Sequence, residues 1–144
     1  MKDFIFQKRL MRKIVFESLF QMDIKDSSLE DIFFTFEKIT EGLKLDEKNM
    51  DEAKTYIRDI YQNKQEYDNI IERYSEGWSL ERIGSVEKTV MRIFIYELTN
   101  KKEIPTKVIL NEATELTKTY STQKAASFVN GIMDRLARDQ FLLI

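Results

Sequence analysis

The stretch from Gly84 to Leu98, GSVEKTVMRIFIYEL, limits the fold more than any other part of the chain. Its apolar residues Val86, Val90, Met91, Ile93, Phe94, Ile95, Tyr96 and Leu98 wrap nearly the whole circumference of a helix instead of lining one stripe. A helix apolar on all sides is stable only when neighbours cover every face, so the rest of the chain has to supply the layer that meets water. Ser85 reads as its N-cap, with Gly84 freeing the backbone before it and Glu87 in a first turn where a carboxylate suits the helix dipole. Arg92 falls in the middle of the apolar run. An unpaired buried charge costs roughly several kcal/mol, so its guanidinium is expected to snorkel outward or to meet a carboxylate. Glu112 and Glu115, on a neighbouring helix, are the expected partners.

The other segments carry helical periods. Met11, Val15, Leu19 and Met22 recur at helical spacing between Lys8 and Met22, widened by Ile14, Phe16 and Phe20. Ser27 and Ser28 are N-cap candidates for a second helix with Leu29, Ile32, Phe33, Phe36 and Ile39 on one face, and Ser27 with Glu30 has the capping-box form. Gly42 suits its C-terminal end. Neither Pro nor Gly divides Leu43 from Glu76, so this part reads as one long helix bent near Asn63 or as two short ones, ended by Ser75, Glu76 and Gly77. Trp78 reads as a core wedge between lobes. Pro105 presets a helix that buries Val108, Ile109, Ala113, Leu116 and Tyr120. A last helix runs from about Gln123 to Asp139, straight through Asn130-Gly131, where the 3.6-residue period outweighs the hairpin signal of that dipeptide. Gly131 there suggests the close approach of a neighbouring helix, and Asn111 and Asn130 read as buried hydrogen-bonding caps. No segment alternates as a strand does. The expectation is an all-α fold of about seven helices, in one domain spanning 1–144, with a three-helix N-terminal lobe (about 1–77) and a C-terminal bundle (about 78–144) around the buried central helix.

Composition narrows the chemistry. The 144 residues include no cysteine and no histidine, which removes thiolate chemistry and the commonest general base and metal ligand. The four glycines, Gly42, Gly77, Gly84 and Gly131, are too scattered for a phosphate-cradling loop. Neither catalytic residues, a metal site nor a cofactor is expected. No apolar run reaches the ~18 residues of a membrane span, and Met1 to Leu10 lacks a signal-peptide core, so a cytoplasmic protein is expected.

The net charge of -2 conceals an uneven distribution. Lys2, Lys8, Arg9, Arg12 and Lys13 stand against Asp3 alone at the N-terminus, whereas Asp23 to Glu52 is strongly acidic. Cations in a helix's first turns oppose its dipole by about 0.3–1 kcal/mol each when exposed. Local stability therefore does not account for their placement, and a polyanionic partner does.

Three segments, KRLMRKIVFESLFQ (Lys8 to Gln21), GSVEKTVMRIFIYEL (Gly84 to Leu98), and IPTKVILNEATELTKTY followed by SFVNGIMDRLA (Ile104 to Ala137), together resemble the NusB family of bacterial transcription antitermination factors. The resemblance implies an all-α RNA-binding factor that pairs with a small-subunit ribosomal protein, also called NusE. The pair recognises single-stranded boxA-like RNA in ribosomal RNA leaders and helps load an antitermination complex onto RNA polymerase. The arginine-rich start of the family's first helix meets RNA, which maps to Lys8, Arg9 and Arg12, with Lys13 beside them. Acidic residues facing the ribosomal protein map to Glu81 and Glu87. The segment Ser121 to Ser127 departs from the family's usual G-x-x-x-S-x-K pattern, but Lys124 adds positive charge next to Phe128, whose equivalent lies near the RNA. Two alternatives stay open: a helical interaction module or homodimeric storage form that hides the basic helix, and, for NusB-like folds in general, an accessory domain of an RNA cytosine methyltransferase. A chain ending at Ile144 is expected to lack the latter.

Overall fold

The computed structural model describes residues 2–141, which form helices joined by short loops. The elements are α1 (Lys2–Leu19) running into a 3-10 turn (Phe20–Asp23), α2 (Leu29–Thr40), α3 (Glu47–Gln62), α4 (Lys64–Tyr74), a 3-10 turn (Leu80–Arg82), α5 (Ser85–Asn100), α6 (Thr106–Tyr120) and α7 (Gln123–Leu136), which relaxes into a π-helical turn (Ala137–Phe141). They form two compact units, 1–62 and 63–144. The division falls at Asn63, where the third helical stretch breaks into two helices, and not near Gly77: α4 packs on α5 and α7. The apolar tail Leu142–Ile144 and the Phe141 side chain lie outside what is described.

In the N-terminal unit α1 packs on α2 and α3. Met11, Ile14, Val15 and Leu19 of α1 are buried, as are Ile32 and Phe36 of α2 and Ala53, Tyr56, Ile57 and Ile60 of α3. The capping box belongs to Ser28 and Asp31, one residue later than the Ser27 and Glu30 pairing: the Asp31 N–H donates to the Ser28 hydroxyl at 3.1 Å and the Ser28 N–H to the Asp31 carboxylate at 3.2 Å. Gln7 fastens the α2–α3 loop to α1, donating to the Lys44 carbonyl at 2.7 Å and accepting from the Asp46 N–H at 2.9 Å. Helix α1 begins six residues before the basic cluster and so carries Phe4, Ile5 and Phe6, all exposed, in its opening turns.

The C-terminal unit is built around α5, as its apolar circumference requires. Every residue from Thr89 to Leu98 is buried, with α4, α6 and α7 packed around the helix. Gly84, not Ser85, is the N-cap, and the Glu87 carboxylate folds back over it so closely that a Cβ on Gly84 would lie 2.8 Å from Oε2. Arg92 is 1% exposed and its carboxylate comes from α4: Nε donates to Asp68 Oδ1 at 2.7 Å and Nη2 to Oδ2 at 3.1 Å. Lys64 adds a second cation to Asp68 at 3.3 Å. Glu115, one of the expected partners, binds Lys118 on its own helix.

Candidate nucleic-acid interface

Helix α1 sorts the four basic residues between Lys8 and Lys13 by depth, because 100° per residue turns them through a wide arc. Lys8 lies toward the packed side, its ammonium 2.9 Å from Glu52 with 16% of the side chain exposed, and 5.6 Å from the Phe4 ring centroid. Arg12, one turn on, is buried at 6% exposure and engaged within the chain. It does not join the surface cations as the charge pattern suggested, because its position falls beside the buried stripe of Met11, Val15 and Leu19. Arg9 and Lys13, four residues apart, face solvent. Phe6 precedes Arg9 by three residues on the same side and is 57% exposed. The resulting stripe Phe6-Arg9-Lys13 sets an aromatic face beside two cations. Phe6 could have been found from the sequence had the helix been extended back to Lys2, since positions 6, 9 and 13 keep helical spacing.

Asp46, immediately before α3 and hydrogen-bonded to Gln7, accepts from the Asn49 backbone N–H at 2.8 Å. That bond holds its carboxyl below the ordinary carboxylate range, against a smaller opposing effect of burial.

The C-terminal unit presents a second set. Trp78 is not a core wedge: it is 46% exposed, and its ring meets Phe128 edge to face at 5.9 Å between centroids. The Arg82 guanidinium lies 5.2 Å from the Trp78 ring. The loop that carries Trp78 is firmly built. Glu76 and Gly77 turn through positive φ to end α4, the Ser75 hydroxyl is 2.9 Å from the Glu72 carbonyl and 3.2 Å from that of Trp78, and the Leu80 N–H donates to the Glu72 carboxylate at 3.1 Å. Arg135 donates to the Tyr74 carbonyl at 3.0 Å, fastening α7 to the end of α4. Lys124 is exposed one turn before Phe128. Glu81 is exposed in the 3-10 turn, and Glu87 is half-buried in the first turn of α5.

Several residues lie differently from expectation. Gly131 has no helix pressed against it: a Cβ there would meet Arg135 Nη1 alone, at 3.6 Å. Asn111 and Asn130 are exposed, and Val108 is exposed on α6. Among the described residues no group of three or more acidic, His or Cys side chains is placed to hold a metal ion, and no helix is long and apolar enough to cross a membrane.

The sequence profile of the NusB family matches residues 9–138. A transcription antitermination protein NusB of Thermotoga sp. (strain RQ2) is 42% identical over 132 residues, covering 92% of this chain and 91% of that protein. The corresponding protein of Acetivibrio thermocellus is 35% identical over 132 residues, covering 91% and 88%. Among solved structures, NusB of T. maritima superposes with a TM-score of 0.82 at 42% identity, over 91% of this chain and 90% of that one. A chain in the crystal structure of a plectonemic RNA supercoil shares the fold with a TM-score of 0.84 at 24% identity, over 94% of this chain and 97% of its own length.

Proposed function

The chain belongs to the NusB family of transcription antitermination proteins, and we propose that it acts in antitermination by binding RNA and a protein partner, with no chemistry of its own. The observation that carries this reading is the exposed stripe Phe6-Arg9-Lys13 on α1. Arg9 and Lys13 neutralise phosphates and supply a salt-dependent share of the affinity, while bases unstacked from a single strand rest on aromatic faces. Lys8, held by Glu52, contributes at the edge of this stripe, and Lys124 and Phe128 contribute from the C-terminal unit. Arg12 supports the helix from within.

The RNA is a boxA-like single strand in a ribosomal RNA leader, and the partner is the NusE-type small-subunit ribosomal protein, docked on Glu81 and Glu87. A chain of net charge -2 with a small cationic stripe binds RNA weakly alone. A partner bound to both protein and RNA raises the effective concentration of each for the other, so the two binding events reinforce one another. The pair then joins the antitermination complex on RNA polymerase in the cytoplasm.

Binding of a fluorescently labelled boxA-type RNA, with and without the ribosomal protein, tests the reading. Affinity should rise with the partner present. Absence of RNA binding even in the presence of the partner would refute it and favour an interaction module or a homodimer in which the basic face is hidden, a distinction that sedimentation of the free protein makes directly.

A further inference from the structure

Lys8 is half-buried where Arg9 and Lys13 are exposed. Its ammonium lies 2.9 Å from the Glu52 carboxylate of α3 and 5.6 Å from the centroid of the Phe4 ring, one turn earlier on α1. The side chains of Lys8 and Glu52 are 16% and 18% exposed, sheltered yet within reach of solvent. The same cation reaches Asp46, whose carboxyl is held low first by the Asn49 N–H and more weakly by Lys8. Packing does not require the Lys8–Glu52 pair. Helix α1 packs on α3, with Met11 and Val15 of the one and Ala53, Tyr56 and Ile57 of the other buried. Gln7 adds two hydrogen bonds to the loop before α3. An ion pair so near water contributes little beyond this, because lost hydration and side-chain entropy offset most of its attraction.

We propose that Glu52 is an autoinhibitory counter-charge of the RNA site. It cancels Lys8 at the edge of the stripe, leaving Arg9 and Lys13 as the effective cations between positions 8 and 13, since Arg12 is buried. The inference rests on the RNA-binding reading above and gives a role to a residue outside the stripe. A cation and an anion in contact act on a distant group as a dipole, whose field fades well within the ~10 Å over which a bare charge is felt at ~0.1 M salt. A strand approaching α1 is therefore drawn by Arg9 and Lys13 and hardly at all by Lys8. Once the strand is bound, the ammonium has donors to spare for a phosphate oxygen. A neutral pair that donates a hydrogen bond still does not neutralise that phosphate, so it releases no counterion. The chain alone is thereby held to weak binding, and firm binding waits for the protein partner, whose own contacts raise the effective concentration of the strand.

An end-labelled boxA-type RNA is titrated with the full chain over a range of salt, with and without the ribosomal protein, and read by anisotropy. Freeing Lys8 adds one neutralised phosphate, so Glu52→Gln should raise the salt slope by about 0.7 and tighten binding about fivefold at ~0.1 M salt. The gain should appear both with and without the partner, whose docking residues Glu81 and Glu87 belong to the other unit. Lys8→Met/Glu52→Gln is neutral at this place, as the natural pair is, and should return the slope to that of the natural chain. If Glu52→Gln proves poorly folded by circular dichroism, Lys8→Met and the double variant read the same balance. The carboxylate left alone in Lys8→Met should weaken binding, and its removal in the double variant should restore the slope. A folded Glu52→Gln chain with an unchanged slope would overturn the proposal, because Lys8 would not have been cancelled. Weaker binding by that variant would also overturn it, because Glu52 would then serve the RNA contact by placing Lys8. Either result leaves the RNA-binding reading intact. Absence of RNA binding by the natural chain, even with the partner, would overturn that reading and the proposal together.

Discussion

Replacing Asp68 with Ala should be the most destabilising single change in the C-terminal unit outside its apolar core. Arg92 is 1% exposed, and Asp68 takes both its Nε and its Nη2 hydrogen bonds, at 2.7 and 3.1 Å. Breaking a buried pair by removing one partner costs about 3–5 kcal/mol, because the remaining charge keeps its desolvation penalty. A domain's whole stability is about 5–15 kcal/mol, so this change consumes a large part of it. With a urea m-value of about 2 kcal/mol/M, the unfolding midpoint should fall by roughly 1.5–2.5 M. Lys64 serves as the contrast: its side chain is 39% exposed and stands 3.3 Å from Asp68, four residues away on the same helix. Lys64→Met should cost less than about 1 kcal/mol. The double variant Arg92→Met/Asp68→Leu removes both charges and should regain most of the loss. Urea denaturation followed by circular dichroism reads all three. A cost below about 1 kcal/mol for Asp68→Ala, or a double variant no better than the single, would refute the claim that desolvation of Arg92 sets the magnitude.

Smaller effects follow from the caps. Ser28→Ala should cost about 1 kcal/mol by breaking the capping box of α2, measured by the same denaturation. Asp46 is held below the ordinary carboxylate range by the Asn49 N–H, so its stabilising contribution is complete above its unfolded value and is lost as pH falls through the lowered folded one. Asp46→Asn should accordingly flatten the acid limb of a stability-against-pH curve, and an unchanged limb would contradict the assignment. Gly131→Ala should raise stability by up to about 1 kcal/mol, since helix propensity improves and the added methyl meets only Arg135 Nη1 at 3.6 Å; a lower melting temperature would mean that a neighbour does press on that position.

How much of this was legible in the sequence depended on whether the relevant force acts along the chain or across it. Helix α5 was readable because an apolar circumference leaves no face for water. That Arg92 must either snorkel outward or be paired was readable for the same reason, but Asp68 was not, because nothing local separates it from the other acids of α4. The capping box slipped by one position because two serines, each followed at three residues by an acid, stand side by side. Trp78 was misjudged because a large aromatic is ordinarily core material, and only tertiary structure reveals one left outside, whereas Phe4 and Phe6 were overlooked because the helical period was followed from Lys8 and α1 begins at Lys2. The basic cluster was visible as charge, but its division into exposed Arg9 and Lys13, tethered Lys8 and buried Arg12 depends on how α1 lies against its neighbours.

The central claim is that the solvent face of α1 meets phosphates, and the salt dependence of RNA binding tests it most directly. For single strands the slope of log affinity against log salt is about 0.7 per neutralised phosphate. In the presence of the ribosomal protein, Arg9→Ala/Lys13→Ala should weaken boxA-type RNA binding and reduce that slope by about 1.4, the equivalent of two phosphates. An unchanged slope in a variant that remains folded would contradict the account, because the RNA would then be bound elsewhere.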